Sequence, residues 1–452
     1  MNDSVSTSAD DIAPPAPHPT FGEAARLWLK VGLLSFGGAT AQIAMLHRFV
    51  VDERKWLDEQ RFLQALNFCM LLPGPEAQQL ATYIGWMLHG VRGGFVAGVM
   101  FVLPGAAVML ALCFLYALGQ GIPAVDGLFL GIKCAVLAII VEAMIRIGRR
   151  ALKGALGYAI AIGAFLALLL LEAPFPLIVL GAASIAAALG HARPNLLGLK
   201  IATRESSGAG WREKLAVSAR FAIVGLVAWF LPVVVAALFL GPQHILVDLG
   251  LFFSKLAMLT FGGAYALLAW LAQAAVEQKG WVTAPEMLDG LGLAETTPGP
   301  TILVNQFVGF LAALRSPAPF SPLLAGTLGA LMVVWTTFAP SFVWIFAGAP
   351  FVEDLQRNRR VTAALAGVTA AVVGVVAYLA LWFALNVLFS DVRDVMLGPF
   401  RLIMVDPGSG RLPAMALSAV AFALMLVWHQ GLAITLAVCA AMGVALKLAG
   451  VV

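Results

Sequence analysis

The stretch Gly93–Val125 contains no Asp, Glu, Lys or Arg, and Ala155–Leu171, Phe221–Gly241, Ser316–Val352, Val361–Ser390 and Leu412–Trp428 are equally free of charge. A helix that crosses bilayer hydrocarbon needs about 20 mostly apolar residues. Further runs, Phe21–His47, Asp126–Ile147, Pro174–Ala192, Ile245–Val276, Glu286–Leu314 and Gln430–Val452, hold only scattered charges. Arg61–Gly90 is another, broken by Pro73, Gly74 and Pro75. The chain is 61% apolar and 12% charged, against about 25% charged in soluble domains. A water-bound core cannot hide that much apolar surface. The expected fold is therefore an all-α polytopic membrane protein with about thirteen transmembrane segments.

Composition also narrows the function. A net charge of +4 is spread over short segments and offers no basic face for nucleic acid. Cys69, Cys113, Cys134 and Cys439 lie far apart in apolar runs and read as small fillers. The six histidines, His18, His47, His89, His191, His244 and His429, never pair at ligand spacing, so neither a metal nor another cofactor is expected. No P-loop, nucleophile elbow or dinucleotide fingerprint occurs in context. No polar cluster of catalytic type appears either, and an enzyme is not expected. Residues 1–20 are polar, lack the pattern of a signal peptide, and read as a disordered tail.

The chain repeats itself. Lys30-Val31-Gly32-Leu33-Leu34-Ser35-Phe36-Gly37-Gly38-Ala39 answers Lys255-Leu256-Ala257-Met258-Leu259-Thr260-Phe261-Gly262-Gly263-Ala264 at an offset of 225 residues. Trp56 answers Trp281, and Pro73-Gly74-Pro75 answers Pro298-Gly299-Pro300, in the same register. Shared apolar composition does not hold one register across three motifs. Beyond Gly90 the register slips, and Pro104 answers Pro340. The expected organisation is a first transmembrane repeat over 21–192, a cytoplasmic linker over 193–215, a linking helix over 216–241 and a second repeat over 242–452. An odd number of spans between equivalent points inverts the second half. Arg146, Arg149, Arg150 and Lys153 follow a span whose counterpart is preceded by Arg357, Arg359 and Arg360, as inversion requires. The group Arg48, Arg54, Lys55 and Arg61 disagrees and would lie outside.

The interruptions carry the candidate chemistry. Pro75 cannot continue a helix but suits the first turn of a new one. A half-helix starting there leads with Gln78, Gln79 and Thr82; its counterpart after Pro300 leads with Thr301, Asn305 and Gln306. Unpaired backbone cannot face lipid, and a helix N-terminus deep in the membrane suits an anion. Gly74, Gln78, Gln79, Gly299, Thr301 and Asn305 are thus candidate substrate-binding residues; two packing kinks are the plainer reading. Gly37, Gly38, Gly262 and Gly263 allow close backbone approach, for a substrate or for helix packing. Lys30 and Lys255 sit about two turns before the glycine pairs and either balance a dianion or snorkel. Lys133 is similar but has no counterpart. Glu76 and Glu295, nearest the breaks, are candidates to carry a coupled proton, Glu76 doubling as a cap. Glu142 and Arg146, at i,i+4 spacing, read as a structural pair.

These motifs resemble the long-chain, two-half form of the chromate transporter family. The resemblance rests on Phe36-Gly37-Gly38-Ala39-Thr40-Ala41-Gln42-Ile43-Ala44, on Leu72–Gly85 around Pro73-Gly74-Pro75-Glu76, on Ala97-Gly98 with Phe101-Val102-Leu103-Pro104, and on the second-half counterparts. It implies antiparallel halves and export of chromate across a bacterial inner membrane, driven by the proton motive force. Sulfate, also a tetrahedral dianion, or another oxyanion is the alternative substrate, and a passive anion channel the alternative mechanism. The expected partners are the dianion and the lipid bilayer, with a homodimer left open.

Overall fold

A computed structural model describes residues 18–119, 121–192, 211–260, 264–351, 359–398 and 400–451. The expected tail and most of the linker, together with Gly262 and Gly263, lie outside the described residues. The described chain is helical apart from one β-hairpin. Its first part is α1 (Phe21–Leu34), α2 (Gly38–His47) continued by a π-turn (Arg48–Glu53), α3 (Glu59–Cys69) and α4 (Glu76–Leu118). Then come α5 (Pro123–Ala151), α6 (Ala155–Leu171), α7 (Phe175–Ala192) and α8 (Trp211–Leu240). The second part is α9 (Ile245–Met258), α10 (Ala264–Ala272) with a π-turn (Gln273–Gln278), α11 (Ala284–Thr296), a 3-10 turn (Thr301–Leu303) and α12 (Val304–Arg315). It continues as α13 (Pro322–Gly348), α14 (Arg359–Leu388), α15 (Leu412–Phe422) and α16 (Leu432–Leu448). Among the described residues five helices are long and apolar enough to cross a membrane, and five shorter apolar ones accompany them.

The repeat in the sequence is a repeat in local structure. These two π-turns start 225 residues apart, and each is followed three residues on by a tryptophan whose backbone N–H donates at 2.8 Å to a carbonyl inside the turn, Trp56 to Val50 and Trp281 to Ala275. Asp58 caps α3 through the amide of Arg61, and Thr283 caps α11 through that of Glu286. These caps supply acceptors for first-turn amides that have no partner within the helix.

Four runs that read as single spans turn back on themselves. The Trp28 and Trp56 rings lie 6.4 Å apart, whereas a straight helix would separate those positions by roughly 40 Å. So α1 and α2 form a helical hairpin whose tip is Ser35–Gly37. Phe253 stacks on Trp281 at 6.1 Å, so α9 and α10 do the same. Phe68 and Tyr83, 5.1 Å apart, close α3 against the start of α4. Arg315, at the end of α12, pairs with Glu286 at the start of α11. The reason is local: Gly37 adopts φ 88°, Gly74 φ 127° and Gly299 φ 107°, conformations that end a helix and that residues with a Cβ rarely reach. α4 itself reverses at His89 and Gly90 (φ 62°, ψ −155°). His89 Nε2 reaches the Pro19 carbonyl at 3.0 Å, so this end returns to the start of α1.

The two parts interlock. α5 packs on α16 and α14 on α7. Glycines permit the approach: a Cβ on Gly131 would stand 2.0 Å from the Cys439 carbonyl, and one on Gly374 2.0 Å from that of Ala161. All four cysteines are buried and unbridged, as their apolar settings suggest.

The stretch after α14 is a two-stranded antiparallel hairpin, β1 (Val392–Leu397) and β2 (Phe400–Val405). Arg401, buried on β2, pairs with Glu172 at 2.7 Å, Glu277 at 3.2 Å and Asp394 at 2.5 Å. It ties the end of α6 to the π-turn after α10.

Candidate functional site

The hairpin tips of the two parts meet each other. The Gly74 amide donates to the Thr260 carbonyl at 2.8 Å, and the Gly299 amide to the Ser35 carbonyl at 2.7 Å. Each Pro-Gly-Pro break therefore docks on the residue two places before the other part's glycine pair. Gln42 reinforces one contact, its Nε2 reaching the Gly299 carbonyl at 2.8 Å and that of Ser35 at 3.3 Å. The long helices close in from either side. A Cβ on Gly105, just after Pro104 in α4, would fall 2.0 Å from the Pro298 carbonyl. Ser341, just after Pro340 in α13, places its Oγ 3.1 Å from where a Cβ on Gly74 would be.

Around these tips several buried polar side-chain atoms have no protein partner. Among the described residues Ser35 Oγ, both amide atoms of Gln78, Gln79 Oε1, Asn305 Oδ1, Gln306 Oε1 and Ser341 Oγ have none. Their other atoms are anchored: Gln79 Nε2 on the Pro73 carbonyl (2.7 Å), Asn305 Nδ2 on Thr337 Oγ1 (3.2 Å), Gln306 Nε2 on the Ala106 carbonyl (2.9 Å). A buried polar atom without a partner costs about 1–3 kcal/mol, so such a cluster is a candidate place for a polar guest or water. The hydroxyls of Ser35 and Ser341 and the Gln78 amide can donate to a negative guest. The free carbonyl-type oxygens suit water or a protonated guest.

The structure thus unites Gln78, Gln79, Asn305 and the buried Thr301 with Gly37, Gly38, Gly74 and Gly299. It corrects two expectations. The amides of Gly74 and Gly299 are spent on holding the tips together and are not bare donors. Lys30 and Lys255 stay exposed on the outer faces of α1 and α9, over Phe49 at 4.8 Å and Trp270 at 5.8 Å, and do not join the buried cluster. Of the coupling candidates, Glu295 is buried one turn before its break, and Glu76 is half-buried at the first turn of α4.

Sequence reasoning missed several residues. Gln42 lies within the Phe36–Ala44 motif, but nothing in its spacing singles it out. Ser341 follows the proline that matches Pro104, a signal in plain view. Asp289, buried on α11, pairs with Lys133 at 3.0 Å and accepts from the Tyr116 hydroxyl at 3.0 Å. Spacing gives no hint of this set, which joins the consecutive helices α4 and α5 to the distant α11. Among the described residues no group of three His, Cys, Asp or Glu side chains could hold a metal.

Two cavities reach the tips. One, of about 700 Å³, lies between α4, α8 and α13, is walled by residues such as Phe95, Phe239 and Phe342, and touches Gln78. The other, of about 270 Å³, is polar and touches Gly37.

Long apolar helices around interrupted hairpins, with a buried polar centre at the breaks, define a multi-pass membrane protein. Within that class the chain belongs to the chromate transporter family, whose model matches residues 22–191 and 247–444. It is 33% identical over 375 residues to the chromate transport protein of Pseudomonas aeruginosa, covering 82% of each chain. It is 26% identical to the probable chromate transport protein of Synechococcus elongatus, covering 80% of this chain and 84% of that one. The chromate transport protein of Cupriavidus metallidurans is 25% identical over 82% of this chain and 84% of its own. No solved structure matches.

Proposed function

We propose that the protein is a secondary transporter that exports chromate across a bacterial inner membrane, using the joined Pro-Gly-Pro tips as its binding site. The observation that carries this reading is the reciprocal docking of the tips inside a cluster of buried, partnerless polar atoms. Relatives known as chromate transport proteins supply the substrate. Sulfate shares the shape and charge of chromate and is its natural competitor at such a site.

The two halves are opposed in this reading. Hairpins return to the side they left, so they cancel in the count of crossings. The second part of α4, then α5, α6, α7 and α8, crosses five times between the start of α1 and the start of α9. The second half is therefore inverted, as in other secondary transporters with broken helices. The same count removes the disagreement over charge. Because α2 returns to the side where α1 began, Arg48, Arg54, Lys55 and Arg61 join Arg146, Arg149, Arg150, Lys153 and Arg360 on one face. Basic residues mark the cytoplasmic face.

The membrane potential, negative inside, favours outward movement of a dianion. Glu295 and Glu76, beside the two breaks, are the groups that would carry a coupled proton. Flux of chromate in inverted vesicles, with sulfate as competitor, tests the reading. Uphill movement that collapses with a protonophore is expected. Absence of chromate movement under every gradient overturns it, and movement that never runs uphill assigns a channel.

A further inference from the structure

The polar cavity beside Gly37 is lined by Gly37, Glu142, Arg146, Glu295, His429 and Gln430. It brings α5, α11 and the turn before α16 to the tip of the α1–α2 hairpin. Its outer residues are open: Glu142 and Arg146 are 33% and 36% exposed, and His429 and Gln430 are exposed. Its inner end is Gly37, the left-handed N-cap of α2, where no side chain caps the helix.

We propose that this cavity is the vestibule through which the anion enters, and that Arg146 is its receiving cation, released by Glu142 when the anion arrives. The inference rests on the transport reading above and deepens it. In the sequence Arg146 and Glu142 look like an ordinary pair one turn apart on a helix. In the structure their 3.0 Å contact sits in the wall of a cavity of about 270 Å³, with room for a tetrahedral dianion and water. A guanidinium matches oxyanion geometry with paired N–H donors. Glu142 is then a competitor that occupies Arg146 between visits. His429 and Gln430 add donors at the rim. Glu295, at the inner end, is the carboxyl an anion must pass on its way to Gly37. These are the titratable groups that line the cavity.

The two partners of a structural ion pair should be equally intolerant of change. A cation and its competitor should respond in opposite directions. Chromate and sulfate binding to the detergent-purified full chain by equilibrium dialysis, and chromate flux in proteoliposomes, separate the cases. Arg146→Gln is expected to weaken binding and raise KM roughly tenfold, with Arg146→Lys partly restoring both. Glu142→Gln is expected to strengthen binding and lower KM by about two- to fivefold. The double variant should follow Arg146→Gln. Thermal unfolding of each variant shows that it is folded. Equal losses in Arg146→Gln and Glu142→Gln, or wild-type affinity in Arg146→Gln, overturn the vestibule. If the wild type binds sulfate through Arg146 yet moves no chromate, the vestibule stands and the substrate reading falls.

Discussion

Gly105→Ala is the sharpest perturbation of the tip architecture. A Cβ at that position would lie 2.0 Å from the Pro298 carbonyl oxygen, 2.8 Å from Leu303 Cδ1 and 3.0 Å from the Pro298 carbonyl carbon. Ordinary contact begins near 3.4 Å, so the Pro298–Gly299 peptide must retreat by about 1 Å or more. That peptide donates the Gly299 amide to Ser35 at 2.7 Å, and the adjoining Gly299–Pro300 peptide, which must move with it, accepts from Gln42 at 2.8 Å. A retreat of this size stretches both bonds beyond useful length. Overpacking costs about 1–3 kcal/mol, and each lost bond at a buried site costs about 1 kcal/mol more. Alanine itself favours a helix over glycine by about 1 kcal/mol, so the net loss is about 2–4 kcal/mol, concentrated at the docked tips. Gly181→Ala, on α7 with nothing within 4 Å of a new Cβ, is the control and should be neutral or slightly stabilising. Thermal unfolding and proteoliposome chromate flux, measured on both variants, give the answer. Gly105→Ala should unfold earlier and lose most of its flux. Wild-type flux with unchanged KM in that variant would refute the claim that the tips must touch the long helices.

Further expectations follow from the same structure. Gln42→Ala leaves the Gly299 carbonyl without a side-chain donor and should cost about 1–3 kcal/mol, read as a lower unfolding midpoint together with reduced flux. Lys133→Met strands the buried Asp289 carboxylate and should destabilise by about 3–5 kcal/mol; Lys133→Met combined with Asp289→Leu should recover much of that, and a double variant no better than the single one refutes pairing. Arg401→Ala leaves Glu172, Glu277 and Asp394 facing one another and should cost about 2 kcal/mol, seen as faster proteolysis within 392–405. The Glu59 hydrogen bond raises the His47 imidazole above its ordinary 6.5, with the Glu59 and Asp52 charges adding to the effect and slight burial opposing it. His47, the last residue of α2, therefore contributes stability that is complete below pH 6.5 and fades as pH rises through the raised value. His47→Gln should flatten that part of the melting profile, and an unchanged profile refutes the assignment.

The apolar runs were enough to say that the chain is helical and lives in a bilayer, because hydrocarbon accepts only backbone bonded within its own segment. The register shared by Lys30, Trp56 and Pro73 with Lys255, Trp281 and Pro298 was enough to say that one plan is used twice, and Pro75 and Pro300 to say where helices restart. What those residues could not reveal is direction. A broken helix that continues and one that turns back share the same composition, and only the packing of Trp28 on Trp56 and Phe253 on Trp281 decides between them. Partners were equally hidden: that Gly74 spends its amide on Thr260, that Lys133 meets Asp289, and that Glu142 and Arg146 border a cavity reaching Gly37 are facts about surfaces brought together from distant stretches of chain. Periodicity records which neighbours a residue has along its own helix. The neighbours it gains across the core are set by how all the helices pack at once.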